Sequence, residues 1–366
     1  MNNRLLVVAL SLQLLVVMML VYCASDDDPL RFSLFKKANA THVKHPVSSF
    51  LGFVRGHDER LHRGVVLLGV TNYAMRHVAL NFLVSLRNVG GVDPRSPVVV
   101  CLDVASFEFL RDRGVNVYLA DAAMWQEVGW ELPPWPISGR ETNVGMLGYG
   151  KNRDYVHLVR CKAPIVRYLL RHGLNVLLFD VDIVLLRSSP NAIDAVIDRL
   201  EQSSDVDVLM QSNRPERLVY NTGFYVCRSS PRSIELFDAF VDRLGTADAA
   251  DLAIDDQTIF NRLVLKERPD QLARLVDQLP YDQFPSGIET VSKNPMSAKC
   301  CSPASGLVAN MKRLWKAGWP TTQDDQKPFL VHFNFIRGDD KVTQMKAWGL
   351  WGANENTSFT GSVKYP

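Results

Sequence analysis

Residues 175–190 read NVLLFDVDIVLLRSSP. Four apolar residues run straight into Asp180 and then Asp182, inside what otherwise reads as a strand buried on both faces. Unpaired carboxylates are costly to bury, so two of them in this setting need a counter-charge. In an open α/β sheet, ligands gather at the carboxyl ends of the strands. A hard divalent cation, which takes carboxylate oxygens and bridges phosphates, meets both conditions there. An acidic pair at this spacing is common by chance; its place at the end of an apolar run is what makes it informative.

Working outward, Val156, Val159, Ala163, Val166 and Leu170 recur at helical spacing, and His172-Gly173 ends that helix. Upstream, GVVLLGVTN (64–72), VVVCL (98–102) and VNVYLA (115–120) read as strands. Met75, Ala79, Phe82, Leu83 and Leu86 mark a helix after the first of them, and 108–113 belongs to a short one after the second. Strands alternating with helices predict an α/β fold with a doubly wound, mostly parallel sheet. Residues 121–152 read as a long irregular segment whose Trp125, Trp130 and Trp135 either stack on sugar rings or pack the loop onto the domain. Pro280, Pro285, Pro295 and Pro303 mark 280–328 as irregular too.

The chain has 366 residues, with 41 lysines plus arginines against 39 acids, a formal charge of +2 that gives no basic excess for a nucleic-acid partner. At 47% hydrophobic and 22% charged it is globular in composition rather than disordered. Residues 5–24, LLVVALSLQLLVVMMLVYCA, carry no charge and are long enough to cross a bilayer. Arg4 precedes them and Asp26, Asp27 and Asp28 follow, the polarity of a single-pass signal anchor with a lumenal body. A cleaved signal peptide is the competing reading, but Tyr22 is bulky where a small residue is needed. The expected organisation is a cytoplasmic tail (1–4), anchor (5–24), stem (25–63), one catalytic domain (64–352) and a C-terminal tail (353–366). Acceptor sequons at Asn39 and Asn356 fit a lumenal chain. Cys23 falls in the anchor and Cys300–Cys301 are vicinal, while Cys101, Cys161 and Cys227 sit in apolar contexts as core thiols.

Four elements in order over roughly 65–350 resemble the nucleotide-diphospho-sugar transferases of GT-A fold, near the group that contains plant cell-wall xylosyl- and arabinosyltransferases. They are the apolar strand ending in Asp180-x-Asp182 downstream of Lys162, YNTGFYVCRSS (220–230), DDQTIFNRLV (255–264) and VHFNFIRGDDKVTQMKAWGLW (331–351). The resemblance implies a retaining glycosyltransferase of the Golgi membrane, using manganese or magnesium and a UDP-sugar donor, with a glycan or glycoprotein acceptor. Asp182 and His332 would be metal ligands, and Asp180 would contact the metal, the ribose of the nucleotide or both; an imidazole beside carboxylates favours manganese. A solvated histidine at a strand end is the bland reading of His332.

Gly338 and Lys341 would close over the diphosphate, glycine allowing close approach and lysine neutralising the leaving group. Thr71, Asn72 and Tyr73 would hold uracil and ribose, against the competing reading of an N-terminal helix cap. Thr222, Gly223 and Asn221 would face the donor sugar, unless they simply form a turn. Asp255 would cap a helix from which Asp256 or Gln257 reaches the anomeric carbon, making Asp256, Gln257 and Asn221 the candidate catalytic residues. Either Lys162 or Arg160 would reach the nucleotide; Lys162 has the better family match, and a helix-surface salt bridge is the competing reading for Arg160. Two other readings use the same residues. A haloacid-dehalogenase-like phosphatase would take Asp180 as nucleophile, although that motif belongs on a first strand; a lumenal scaffold would keep the fold without activity.

Overall fold

The computed structural model describes residues 49–56, 61–131, 158–213, 219–246, 254–267, 274–286, 327–334, 338–354 and 356–359. The anchor, most of the stem, Trp135, Asn39 and Cys300–Cys301 lie outside the described residues.

The elements run α1 (Phe50–Arg55), β1 (Leu61–His62), β2 (Val65–Thr71), a 3₁₀ turn (Tyr73–Met75), α2 (Arg76–Asn88), β3 (Val98–Cys101), α3 (Val104–Arg111) and β4 (Val117–Leu119). Next come α4 (Ala122–Val128), α5 (Lys162–Arg171), β5 (Asn175–Asp180), β6 (Ile183–Leu185), α6 (Ala192–Gln202), β7 (Val208–Ser212) and β8 (Tyr220–Cys227). The chain then forms α7 (Pro231–Thr246), α8 (Asp256–Arg262) running into a π-helical turn (Leu263–Glu267), β9 (Val276–Gln278), β10 (Leu330–His332) and α9 (Gly338–Ala347).

The main sheet has the order β4-β3-β2-β5-β8-β7-β9, with β1 paired to β2. Pairs β2–β3, β2–β5, β3–β4 and β7–β9 are parallel. Its central strands are apolar throughout because both faces are covered: Val66, Leu67, Leu68, Val98, Val100, Val176, Leu177 and Leu178 are all fully buried. The fold is therefore α/β with a mostly parallel central sheet, as expected, but β8 enters antiparallel between β5 and β7. The stretch expected as one strand also splits. β5 stops at Asp180, a turn carries Val181 and Asp182, and β6 leaves the main sheet to pair with β10.

The packed body is longer than 64–352 at both ends. Helix α1 lies inside the expected stem, yet Phe50 is fully buried and packs edge-on against Tyr118, ring centroids 5.1 Å apart. The Glu127 carboxylate accepts from the backbone N–H of Phe50 and Leu51, at 2.7 and 2.9 Å, and from the Tyr168 hydroxyl at 2.5 Å. In the expected tail, Phe359 is buried and its N–H donates to Arg113 O at 2.7 Å. The segment read as irregular opens with α4, capped by Asp121, and Trp125 is in the core rather than on a sugar-binding surface. Cys101, Cys161 and Cys227 are buried free thiols, and burial pushes Cys161 up to about 12.

Candidate active site

Two strand pairings assemble the site. β6 pairs antiparallel with β10, placing His332 opposite Ile183 and hence beside Asp182; the Phe333 N–H donates to Asp182 O at 2.9 Å. β8 pairs antiparallel with β5, Phe224 opposite Phe179, so Gly223 falls next to Asp180. Asp180, Asp182 and His332 are thus brought together from positions up to 152 residues apart, with one ligand atom of each within 4.8 Å of the others. His332 Nε2 is 3.1 Å from Asp182 Oδ1 and 3.7 Å from Asp180 Oδ2.

The residues fit a cation. His332 is fully buried, yet its Nε2 has no aligned hydrogen-bond partner, and such atoms in native structures need an explanation. Gly223 leaves space beside two of the three: a Cβ there would press hardest on Asp180 Oδ2 and would lie 2.6 Å from His332 Cε1 and 2.8 Å from Asp180 Cγ. Asp182 is buried while Asp180 is one-third exposed, so the cluster opens on the Asp180 side.

Two lysines supply positive charge. Lys341, in the first turn of α9, donates to Asp182 Oδ2 at 2.5 Å. Lys162 opens α5 and reaches Asp180 Oδ1 at 3.0 Å, Asp256 Oδ2 at 3.4 Å and Thr222 O at 3.4 Å. Burial works against ionising Asp182, but Lys341 and then His332 outweigh it and hold the carboxyl well below the usual range. Burial also opposes the charge on Lys162, and Asp180 and Asp256 reverse that, raising it above an ordinary lysine. Asp256 goes the other way. Its burial dominates over Lys162, with Asp255 and Asp180 adding to the rise, and it is pushed up to about 6.

The remaining expected residues divide. Asp255 caps α8, accepting from the Thr258 N–H at 2.7 Å, as read from the sequence. Asp256 turns inward to Lys162 and Gln257 is half-buried on the same turn. Asn72 caps the 3₁₀ turn, accepting from Met75 N at 3.2 Å, and Thr71 Oγ donates to Asn72 O at 3.4 Å, so the cap reading is realised. The half-buried Tyr73 ring carries the Arg76 guanidinium 3.5 Å from its centroid. Asn221 is not in a turn but in buried strand β8, its amide N–H donating to Asn213 Oδ1 and its oxygen accepting from Gly223 N, both at 2.6 Å. Gly338 is the first residue of α9. Arg160 is buried and donates to Ile254 O at 2.8 Å.

Four polar residues around the site escaped the sequence reading. Asn213 Oδ1 gathers donors from Asn221, Ser286 Oγ (3.0 Å) and Asn334 (3.3 Å), and Gln211 touches His332. The signal available for Gln211 was a glutamine in the buried strand VLMQS.

Residues 95–345 match the family described as nucleotide-diphospho-sugar transferase. An uncharacterized protein of Arabidopsis thaliana, At1g28695, is 26% identical over 161 residues, covering 44% of this chain and 42% of that protein. The beta-arabinofuranosyltransferase RAY1 of Arabidopsis thaliana is 25% identical over 192 residues, covering 50% of this chain and 30% of that protein. The match therefore spans less than half the length of either curated relative. Among solved structures, mouse xyloside xylosyltransferase 1 superimposes with a TM-score of 0.41 at 12% identity, over 74% of this chain and 98% of that one. The galactosyltransferase LgtC gives 0.42 at 12% identity, over 80% and 98%.

Proposed function

The chain belongs to the nucleotide-diphospho-sugar transferase family, a family of glycosyltransferases, and from that premise we propose that it is a metal-dependent, retaining enzyme moving a pentose or galactose from a UDP-sugar to a glycan or glycoprotein acceptor. The observation that carries the metal assignment is the convergence of Asp180, Asp182 and His332, with Gly223 leaving room beside Asp180 and His332. These three residues would hold manganese or magnesium, which supplies positive charge to the diphosphate as it departs. The nucleophile-on-a-first-strand phosphatase and the inactive scaffold do not fit this membership, and β2, β3 and β4 all precede β5.

Glycosyl transfer breaks the bond between the anomeric carbon and the diphosphate through an oxocarbenium-like state, so groups that gain from charge on the leaving oxygen stabilise the transition state above the ground state. Lys341, buried at the metal position, is the chain's own group for that oxygen. Lys162 ties Asp180 to Asp256 and to the Thr222 carbonyl, fixing the strand that would face the donor sugar. Asp256 and Gln257 would sit near the anomeric carbon, with Asn221 holding the Gly223 backbone. Attack comes from the face the diphosphate leaves: the acceptor oxygen bonds to the anomeric carbon as the phosphate oxygen takes its proton. Thr71, Asn72, Tyr73 and Gly338 would lie along the nucleotide.

A panel of UDP-sugars with manganese tests the reading through slow donor hydrolysis. One or more donors should turn over in the wild type and none in Asp182→Asn; hydrolysis unchanged in a folded Asp182→Asn protein would overturn it. For location, we propose a type II Golgi membrane protein anchored by 5–24. Among the described residues no helix is long and apolar enough to cross a membrane, and 5–24 lie outside them.

A further inference from the structure

We infer that Gln211 is the positioning residue that holds His332 in the tautomer whose Nε2 lone pair faces the metal position. The inference rests on the metal-dependent reading above and deepens it.

Gln211 lies on β7, where its amide is fully buried and must be satisfied from within the protein. Its Nε2 donates to Phe284 O at 3.1 Å and Pro285 O at 2.9 Å. Both of those acceptors are carbonyls, so the reversed amide would set oxygen against two oxygens; the network fixes which end is which. The amide oxygen is therefore the end that meets His332 Nδ1, at 2.8 Å. An amide oxygen only accepts, so Nδ1 carries the proton. A neutral imidazole has one such proton, which leaves Nε2 with its lone pair. That nitrogen is the one set among Asp180 Oδ2 and Asp182 Oδ1 without an aligned hydrogen bond.

The backbone is shaped for this contact. Between the pairs Met210–Tyr225 and Ser212–Tyr220, β7 has one residue, Gln211, where β8 has four, Asn221 to Phe224. Such irregularities re-aim side chains beside functional sites. Here it frees Gln211 from the regular ladder at the level where β8 passes the acidic pair. The Pro285 carbonyl that fixes the amide also accepts from the His332 N–H at 3.4 Å, so one peptide holds both partners. Groups that accept from the second ring nitrogen of a ligating histidine set its orientation, and their loss weakens metal binding about 10- to 100-fold.

Two measurements test this. In the metal-free wild type with ¹⁵N-labelled histidine, at a pH high enough to leave the ring neutral, long-range ¹H–¹⁵N correlation should show His332, assigned against His332→Asn, as the Nδ1–H tautomer. Titration with manganese, followed by the free-ion EPR signal, should give an affinity about 10- to 100-fold weaker in Gln211→Leu. An Nε2–H tautomer in the wild type, or unchanged manganese affinity in a folded Gln211→Leu protein, overturns the inference. The wild-type spectrum decides alone where Gln211→Leu does not fold. If Asp182→Asn abolishes manganese binding and Gln211→Leu does not alter it, the role of Gln211 fails while the metal site stands; if Asp182→Asn also binds normally, the metal reading fails.

Discussion

Replacing Gly223 by alanine adds one carbon against two of the three candidate ligands, Asp180 and His332. The new Cβ would press hardest on Asp180 Oδ2 and would lie 2.6 Å from His332 Cε1 and 2.8 Å from Asp180 Cγ, the last two about 0.8 and 0.6 Å inside the 3.4 Å of an ordinary contact. Both neighbours are ends of side chains and not backbone, so the cheapest relief is to push those ends apart and leave β8 in place. Overpacking of this size costs about 1–3 kcal/mol, and the less flexible unfolded chain returns about 0.4–1 kcal/mol of it. Stability should therefore fall by no more than about 2.6 kcal/mol. Metal coordination is far less forgiving, since ligand distances must hold to about 0.2 Å. A displacement several times larger removes at least one ligand, and misplacement near 1 Å costs about 100-fold in rate. Manganese titration, donor hydrolysis and thermal melting of the metal-free protein, run on one preparation, separate these effects. Wild-type manganese affinity and turnover in Gly223→Ala would refute the reasoning, because the added carbon would then occupy space the metal does not need.

The pH dependence of stability should report Asp256 in the metal-free protein. Its folded value, raised to about 6 by burial, exceeds an unfolded value near 3.9, so the folded state holds the extra proton and stability falls by about 3 kcal/mol as pH climbs from about 4 to about 6. Asp256→Asn removes that fall, and a stability difference between variant and wild type that stays constant from pH 4 to 6.5 would contradict it. For membrane topology, the full chain in sealed microsomes should resist carbonate extraction and be protected from added protease apart from its first few residues; release by carbonate, or digestion of the body, would exclude the type II arrangement.

What could be read from the sequence follows from where the physics is local. β2, β3 and β5 announce themselves because a strand covered on both faces is a continuous apolar run, and α5 because its stripe spans several turns. Asp255 as a cap needs only its own backbone three residues on. His332 is different. Its strand has three residues, too few for any periodicity, and its meaning lies in pairing with β6 some 150 residues earlier; only the family resemblance picked it out. Helix α1 and Phe359 were lost for the same reason, since six residues or one ring gain their burial from Tyr118, Glu127 and Arg113 far along the chain. The break between β5 and β6 was hidden because the residues on either side of the turn are equally apolar.

Charge accounting within the site gives the whole-chain balance its proper scale. Asp180, Asp182 and Asp256 contribute three negative charges when ionised, Lys162 and Lys341 two positive ones, and His332 none once it is neutral, as a metal ligand must be. One negative charge is in surplus. Burial is the first reason Asp256 is hard to ionise, but Asp180 and Asp255 add to it, which is what an uncompensated acidic cluster does to its most enclosed member. A divalent cation between Asp180, Asp182 and His332 would turn the surplus from one negative to one positive, the sign that receives a diphosphate. A chain with a net charge of +2 can thus carry a phosphate-binding centre without any basic patch, because lysines set against acids, and not an excess of lysines, make the local field.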